Sequence, residues 1–567
     1  MKIKHLLILG GLVAVLLFHI PSFAAAPNIP NIGSAMKEAQ SARPKPPPRR
    51  EETGIEQTVE GTALPDKSGG ATIFVRDFKL ENAEYLKEAD IQAALAPYKG
   101  RDLTMALIEE ATNKVTEIYH DRGYMVARAY LPPQKAKDGV IIIRVLVGSY
   151  GPSSFENKSH VRDWFIKKAI QNNLQEGKPV KKADLERTVL LISDMPGADM
   201  PKASIAPGQE PGTSDFFLES SPGKRFGGYL LSDNMGSRYT GRWRFGGGAE
   251  VNSPFGIADK LSVFGLTTDT AGLSNAAVNY TFPIGGSGLR LDLGYSHVFY
   301  KLADDYEELD AAGYADTFDG TFSYPIIRSS NQNLYIRLNL AHKSMQDKIE
   351  VFDQDWKRHS NVAKLGLQHE YWGTFLGRPL YTSVNGGLTY GSLFIPSGEQ
   401  RELNRAGADT FGDFAYASLG ILANLSLSDK WSFSASANGQ KSLDKNLDSS
   451  EQFNITGSTG VKAYREVISG DNGYLLNAEL RYALPTCGIE GLNHALGAYV
   501  DTGGWSYQKP DYALKKRDTL SDIGLGYYLQ YKAFSMKAQL SQAVGEYPQE
   551  IKDEGRTYLS ALFMLAF

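Results

Sequence analysis

The sequence predicts two small α+β domains followed by a sixteen-stranded antiparallel transmembrane β-barrel. From residue 225 to the end, apolar and polar residues alternate over about 340 residues, as strands with two different faces do. These alternating segments number sixteen, and bacterial outer-membrane barrels have an even number of strands. Before residue 225 the pattern changes to short strands between amphipathic helices, which is typical of small α+β domains.

Residues 1–24 have the pattern of a signal peptide. The basic start MKIKH precedes the apolar run LLILGGLVAVLLFHI, and small residues around Ala24 suit a signal-peptidase cut. The run is short for a membrane anchor, which is the alternative. No later stretch of about 18 apolar residues could form a membrane-spanning helix, so further membrane contact must use strands.

Residues 25–70 form a polar leader, because the stretch at 45–52 is too rich in proline and charge to fold alone. Within it, residues 31–42 could form a short helix with Ile32, Met36 and Ala39 on one side. Such a helix could plug the barrel. A disordered tail is the alternative.

The first α+β domain is expected at residues 71–149. Residues 73–80 alternate like a strand, and residues 103–121 place their apolar side chains on one helical face. The segments 124–131 and 140–148 then predict a pair of strands.

The second domain is expected at residues 150–221. It has helices near 160–173 and 181–193, and strands near 200–206 and 214–220. Its Pro-Gly pairs fall at the turns between these elements.

The barrel is expected at residues 222–567. Its predicted strands lie near 226–234, 241–251, 259–269, 273–283, 288–301, 314–325, 332–344, 360–372, 379–392, 411–427, 430–440, 474–484, 494–502, 521–531, 533–542 and 557–567. Connections after even-numbered strands are short, and most of those after odd-numbered strands are long and polar. Short periplasmic turns and long outer loops have this pattern, and the longest outer loop is 441–473.

The inward faces of these strands carry many charged residues, so the lumen is expected to be polar and hydrated. They are Arg242, Arg244, Arg290, Arg337, Lys364, Glu370, Glu479 and Arg481.

Composition excludes several functions. The net charge is −4, and no concentrated basic face points to nucleic acid. Cys487 is the only cysteine, which rules out a disulfide within the chain and a cysteine metal cluster. No Walker loop or paired histidine motif is present, so we expect neither enzymatic activity nor a cofactor or metal.

Short motifs along almost the whole mature chain are similar to the two-partner secretion transporters, the TpsB family of the FhaC and ShlB type, related to BamA. In the first α+β domain these are Tyr119, Gly123, Tyr124, Leu131 to Gln134, Gly139, Val147 and Gly148; further on they are LER at 185–187, Pro196 with Gly197, PGTSD at 211–215, SDNMGSRYTGR at 232–242 and NSPFGIADKLSV at 252–263. The resemblance implies two periplasmic POTRA domains in front of the barrel.

The family has a VRGY or VRGF motif in its sixth outer loop and an F-x-D-x-G motif on a strand that the loop meets. Val461 to Tyr464 match the first, and Tyr499, Asp501 and Gly503 match the second. SGDNGY at 469–474 and Glu479 continue the pattern into strand twelve. The resemblance therefore implies that Lys462, Tyr464, Glu479, Asp501 and Gly503 control the gate.

Two positions depart from the family's motif. Lys462 replaces arginine, which exchanges a planar bidentate fork for a point charge. Ala463 replaces glycine. We expect Lys462 to pair with Asp501 inside the pore; the alternative is a solvated loop lysine.

The resemblance also implies the partners. These are a large secreted exoprotein of the TpsA type, recognised through its N-terminal secretion domain, then outer-membrane lipid and lipopolysaccharide, and the barrel-assembly machinery. Export alone and export with activation of the exoprotein, as a haemolysin or adhesin, are both open. Capture of the exoprotein is expected at edge strands of the first POTRA domain. The candidate residues are Tyr124, Val126, Arg128, Ile142 and Arg144. The alternative functions are a BamA-like insertase and a general porin.

Overall fold

The computed structural model describes residues 29–44, 50–51, 53–57, 72–546 and 555–567. The predicted signal peptide at 1–24 lies outside these residues. Within the described ranges, no helix is long and apolar enough to cross a membrane.

The leader contributes helix α1 (Ile32–Ser41) and strand β1 (Ile55–Gln57), and both contact other parts of the molecule. The Asn31 side chain caps α1 by accepting hydrogen bonds from the backbone N–H groups of Gly33 and Ser34, at 2.9 and 3.2 Å. The sequence allowed either a helix or a disordered tail at 31–42, and the structure shows the helix.

The first α+β domain contains β2 (Ile73–Val75), β3 (Asp77–Glu81), α2 (Glu88–Leu95), β4 (Arg101–Leu103), α3 (Met105–Asp121), β5 (Arg128–Tyr130) and β6 (Val140–Leu146). Its main sheet has the order β3-β6-β5. The helices cover this sheet, and Phe78, Val115 and Ile143 are fully buried between the two layers.

The second domain contains β7 (Ser149–Asn157), α4 (Asp163–Asn173), α5 (Lys182–Ser193), β8 (Lys202–Pro207) and β9 (Thr213–Ser220). The sheet order is β1-β8-β9-β7, so the leader strand β1 forms one edge of it. The sequence predicted α4, α5, β8 and β9 but neither β7 nor β1.

The barrel is closed, and its sixteen strands pair antiparallel in chain order until the last returns to the first. They are β10 (Phe226–Asp233), β11 (Arg244–Asn252), β12 (Lys260–Thr268), β13 (Leu273–Pro283), β14 (Arg290–Lys301), β15 (Ala311–Arg328), β16 (Gln332–Ile349), β17 (Gln354–Phe375), β18 (Arg378–Phe394), β19 (Gly412–Ser426), β20 (Trp431–Ser442), β23 (Asn472–Ala483), β24 (Leu492–Ser506), β25 (Arg517–Tyr531), β26 (Phe534–Val544) and β27 (Thr557–Ala566). The predicted fold class and strand number are confirmed.

Strands β15 to β18 are longer than predicted. They span 17 to 22 residues, whereas about 9–11 residues cross a bilayer. Their polar outer ends continue the ladder beyond the apolar band, and the loop after β16 shortens to 350–353. Conversely, β11 begins only at Arg244, so Arg242 belongs to an outer loop and not to the inward face of a strand.

The second domain packs against the short turns of the barrel. The Arg187 guanidinium on α5 donates to the backbone carbonyls of Pro325 and Ser287, at 2.9 and 3.2 Å. Gly286 lies against the α4 backbone, where a Cβ would be 2.7 Å from the Cα of Ala169. This contact identifies the turn side of the barrel as the side that carries the α+β domains.

Among the described residues, two segments occupy the barrel lumen, α1 and the outer loop 443–471. The apolar side of α1 is buried with Leu273, Ala315 and other inward-facing residues of the wall. The loop contains two short strands, β21 (Phe453–Asn454) and β22 (Ser469–Gly470). It packs against the inner faces of β23 to β26.

Candidate functional site

The tip of the outer loop is fixed to the barrel wall by a buried ion pair. Lys462 Nζ lies 2.6 Å from Asp501 Oδ2, and the two side chains are 12% and 0% exposed. Asn477 on the neighbouring strand donates to the other oxygen of Asp501 at 2.6 Å. Lys462 is therefore not a solvated loop lysine in this structure, and both carboxylate oxygens of Asp501 have a donor.

The other two residues of the strand motif shape the wall around this pair. The Tyr499 ring lies over Gly524, where a Cβ would collide with it, and Lys462 Nζ sits 4.5 Å from the centroid of the same ring. At Gly503, a Cβ would come within 3.1 Å of Ile455 in the loop. Tyr499 thus lines the lysine site, and Gly503 admits the loop.

A second carboxylate, which the sequence analysis missed, holds the loop backbone. Asp522 Oδ2 accepts a hydrogen bond from the Ala463 backbone N–H at 2.5 Å. Asp522 stands directly opposite Asp501 in the ladder between β24 and β25. An acidic residue at an inward position between Leu520 and Gly524 was the only signal in the sequence. The loop is therefore held by one charge pair and one backbone contact.

An apolar cluster completes the lock. Tyr464 and Val461 are 0% exposed and pack with Ile455 of the same loop. On the wall side the cluster includes Leu475 and Trp505. We define the loop lock as this cluster together with Lys462, Ala463, Asn477, Asp501 and Asp522.

Glu479 lies outside the loop lock. Its carboxylate pairs with Arg481 on the same strand, at 2.6 Å, and accepts a hydrogen bond from Tyr528. The Arg481 guanidinium stacks 3.9 Å from the centre of the Tyr528 ring. These contacts place Glu479 in a separate polar group on the wall.

Helix α1 is held by polar contacts that the sequence did not reveal. The Glu38 carboxylate accepts hydrogen bonds from the Ser237 backbone and the Thr240 hydroxyl, at 3.0 and 3.3 Å. Arg244 pairs with Asp233 on the neighbouring strand at 2.7 Å, and its guanidinium also donates to the Glu38 carbonyl at 3.1 Å. A fully buried ion pair of the wall thus contacts the helix backbone.

Helix α1 also touches the outer loop directly. Lys37 Nζ donates to the Ser449 carbonyl at 2.6 Å and to the Ser469 hydroxyl at 3.1 Å. A Cβ at Gly33 would lie 2.7 Å from the Ser449 Cβ. The two segments in the lumen are therefore in contact.

The expected capture site in the first POTRA domain needs correction, because β6 is the central strand of its sheet. Ile142 and Arg144 lie on β6, between β3 and β5. The Arg144 guanidinium donates to Glu81 on β3 at 2.9 Å, which lowers the pKa of that carboxyl. Where β5 no longer covers β6, the Gln134 amide bonds the N–H and the C=O of Ile142, each at 2.7 Å. These positions are occupied by the domain's own side chains.

The remaining capture candidates do not form the long edge strand expected at 124–131. Residues 124–127 form a turn, with the Ala127 N–H donating to the Tyr124 carbonyl at 3.0 Å. Tyr124 is 8% exposed, and Val126 packs against the second domain. Only Arg128 lies on β5, where the Ala129 N–H donates to Thr116 on α3 at 2.9 Å. The first domain thus offers a short and partly covered edge.

Comparison with known proteins agrees with this architecture. The model of the family described as haemolysin secretion/activation protein ShlB/FhaC/HecB matches residues 212–529, which is more than half of the chain. The chain belongs to this family. A POTRA domain of the ShlB type matches residues 73–148. The loop lock spans residues 455–522 and so lies within the region that matches the family model.

Several relatives match over most of their length. The heme/hemopexin transporter protein HuxB of Haemophilus influenzae is 26% identical over 437 residues, 76% of each chain. The outer membrane transporter CdiB of Escherichia coli is 25% identical and covers 82% of this chain and 78% of the relative. The hemolysin transporter protein ShlB of Serratia marcescens is 23% identical over 75% of this chain and 76% of its own.

Solved structures share the fold. The structure of CdiB from Escherichia coli superposes with a TM-score of 0.72 at 22% identity, covering 89% of this chain and 93% of that one. The structure of CdiB from Acinetobacter baumannii superposes with a TM-score of 0.63 at 17% identity, covering 95% of this chain and 100% of that one. Family membership and fold identify an outer-membrane transporter of the two-partner secretion type, with its POTRA domains in the periplasm. They favour this function over a BamA-like insertase.

Proposed function

We propose that this chain exports one large exoprotein of the TpsA type, which enters from the periplasm and leaves through the barrel lumen. The observation that carries the proposal is the content of the lumen: a helix of the leader and a loop with a polar lock, both in contact with charged inward-facing residues. A lumen filled by removable segments suits a conduit that opens only when cargo arrives. We expect no enzymatic step in this transport.

Lock opening is the gating step of this proposal. For cargo to pass, Lys462 must leave Asp501 and the Ala463 N–H must leave Asp522. Both contacts lie at the loop tip. In a hydrated lumen, water can take the place of either partner in these hydrogen bonds. The loop can therefore shift without unfolding the wall.

Outward-facing residues support contact with membrane lipid. Leu388, Leu525 and Leu559 are about 60% exposed on the outside of the barrel, 61%, 64% and 59% respectively. An apolar band of this kind faces acyl chains in transmembrane barrels. We propose that it contacts phospholipid and lipopolysaccharide after insertion by the barrel-assembly machinery. Leu525→Arg should then destabilise the folded barrel in lipid vesicles by about 2–4 kcal/mol, and an unchanged stability would contradict lipid contact.

Deletion of the gene tests the export function. Culture supernatants of the deletion strain should lack one large protein, and re-expression of the full chain should restore it. If instead the supernatant were unchanged and many outer-membrane proteins were depleted from the membrane, the export proposal would fail. The missing protein would also identify the cargo.

A further inference from the structure

The outward face of strand β16 changes from apolar to polar at one position. Apolar side chains occupy its outward positions up to Leu340, which is 47% exposed, and polar side chains occupy those from His342 to Lys348. The strand begins at Gln332 on the periplasmic rim. At about 3.4 Å per residue and a tilt of about 40°, His342 lies about 25 Å above this rim. The apolar band of such barrels is about 25 Å tall, so His342 marks the upper boundary of the acyl chains.

The same boundary crosses the neighbouring strands as a row of polar side chains. In the barrel ladder His342 stands beside Asn361 on β17, and Asn361 stands beside Ser392 on β18. His342 Nδ1 lies 2.8 Å from Asn361 Oδ1. An amide oxygen only accepts, so Nδ1 carries a proton. A protonated His342 can therefore keep this contact and also donate from Nε2 to an anion.

A second histidine stands next to the first. The rings of His342 and His359 are nearly parallel, with 13° between their planes and 6.1 Å between their centroids. Two positive imidazolium rings at this distance repel each other, and an anion bound between them removes the repulsion. Further out on the same face, the exposed side chains of Lys348 and Lys357 add two positive charges. This face therefore suits an anionic group.

The carboxylates on this face have partners of their own. Asp316 accepts a hydrogen bond from the Tyr295 hydroxyl at 2.7 Å and lies 2.9 Å from His297 Nδ1. Asp413 accepts a hydrogen bond from the Tyr390 hydroxyl. The charge of the His342–His359 pair is therefore left for a ligand.

A groove of about 690 Å³ lies directly below the polar row. Gly320 and Ala363 line it, and the large rings of Phe318 and Tyr390 flank it, with exposures of 56% and 58%. Small-molecule sites have volumes of about 300–1,000 Å³. The groove is apolar and ends at His342, so it fits an acyl chain whose head group lies on the polar row. We define the outer-face site as this groove together with His342, His359, Asn361 and Ser392.

The length of the strands distinguishes between two kinds of lipid. Residues 343–349 carry β16 about 18 Å beyond the polar row. A phospholipid head-group layer is only about 5–8 Å thick, whereas the sugars of lipopolysaccharide extend much further. The α+β domains lie at the opposite rim, so the outer-face site faces the outer leaflet, where lipopolysaccharide resides.

We propose that the outer-face site binds lipopolysaccharide through its lipid A part, with one acyl chain in the groove and one phosphate between His342 and His359. The inference rests on the proposed contact of the barrel with membrane lipid, and it names one place and one ligand for that contact. A lipid A molecule has both parts that the site needs, because it carries phosphate groups on a sugar and several acyl chains.

Retention of purified lipid A by the full chain tests the polar row. After detergent exchange in the presence of lipid A, mass spectrometry should find it bound to the unmodified chain. His342→Ala should lower the affinity about tenfold or more, because a hydrogen bond to a charged group contributes at least that much. His342→Lys keeps a cation at this position and should keep the affinity within about threefold.

A matched pair of glycine substitutions tests the groove. At Gly320 a Cβ would lie 3.6 Å from Leu293 Cδ2, an ordinary contact, so Gly320→Leu fits the fold and fills the groove. It should lower lipid A retention about tenfold. Gly265→Leu is the control, because Gly265 is also exposed on the outward face and its Cβ would meet nothing within 4 Å. It should leave retention unchanged.

The outcomes separate this inference from the proposed function. Equal retention of phosphatidylglycerol and lipid A, or full retention of lipid A by Gly320→Leu, would overturn the outer-face site. If the chain exports its exoprotein but retains no lipid A, export stands and the site is wrong. If Leu525→Arg also leaves the stability in vesicles unchanged, the proposed lipid contact itself is wrong.

Discussion

The two segments in the lumen are held in different ways. The loop 443–471 is attached to the barrel at both ends, and its tip combines an ion pair, a backbone contact and a buried apolar cluster. Helix α1 belongs to the leader, and its polar contacts are spread over several strands and the loop. The contacts of the loop are therefore concentrated at its tip, whereas those of the helix are dispersed.

Among the substitutions that separate the loop from the helix, Asp501→Asn should have the largest effect on channel opening. It leaves the Lys462 ammonium in a buried site without its charge partner, and breaking a buried pair in this way costs about 3–5 kcal/mol. We expect a displaced loop, long-lived wide openings in planar bilayers and loss of secretion. Asp518→Asn is the control, because its pair with Lys515 is about a third exposed and should matter by less than about 1 kcal/mol. An unchanged conductance in Asp501→Asn would show that the ion pair is not the lock.

Gly33→Ala should disturb the helix and spare the loop lock. The new methyl group would press against Ser449, and overpacking of this kind costs about 1–3 kcal/mol. We expect more frequent openings of short duration, since the loop lock remains intact. Ser34→Ala is the control in the same turn. If Gly33→Ala gave the long-lived openings expected of Asp501→Asn, the helix and the loop would not be separable elements.

Lys462→Arg should strengthen the lock moderately. A guanidinium can donate to a carboxylate through two parallel hydrogen bonds where an ammonium acts as a point charge. We expect spontaneous openings to fall severalfold, with secretion slower but retained. More frequent openings would mean that the site beneath Tyr499 is shaped for lysine.

Glu479→Gln should have the smallest effect on gating. It removes the charge opposite Arg481 but leaves Lys462 and Asp501 in place. The opening frequency should stay within about twofold of that of the unmodified chain, even if the free energy of unfolding falls by about 1 kcal/mol. A gating defect as large as that of Asp501→Asn would show that Glu479 takes part in the loop lock.

Features that repeat along the chain or that carry a motif could be predicted from the sequence. Alternation predicted all sixteen strands because each has one lipid-facing and one inward face. The loop and strand motifs predicted the Lys462–Asp501 pair because each motif carries one of the two charges. Asp522 was missed, since a single inward carboxylate looks the same whether it binds water or a loop backbone.

The leader shows the opposite case. Strand β1 has three residues, and its pairing depends on an edge about 150 residues later in the chain, which no local pattern encodes. The prediction of a capture site on the edge strands of the first domain failed for a related reason. Strands β5 and β6 were correctly expected as a pair, but only the sheet order shows that β6 is central.

The central claim is that cargo passes through this lumen, and a photo-crosslinker on β16 tests it most directly. Arg337 faces the lumen and Leu338 faces outward, 39% exposed on the lipid side. With the crosslinking residue at position 337, the exoprotein should be captured during secretion, and with it at position 338 it should not. Capture at position 338 alone, or at neither position while secretion continues, would contradict the account.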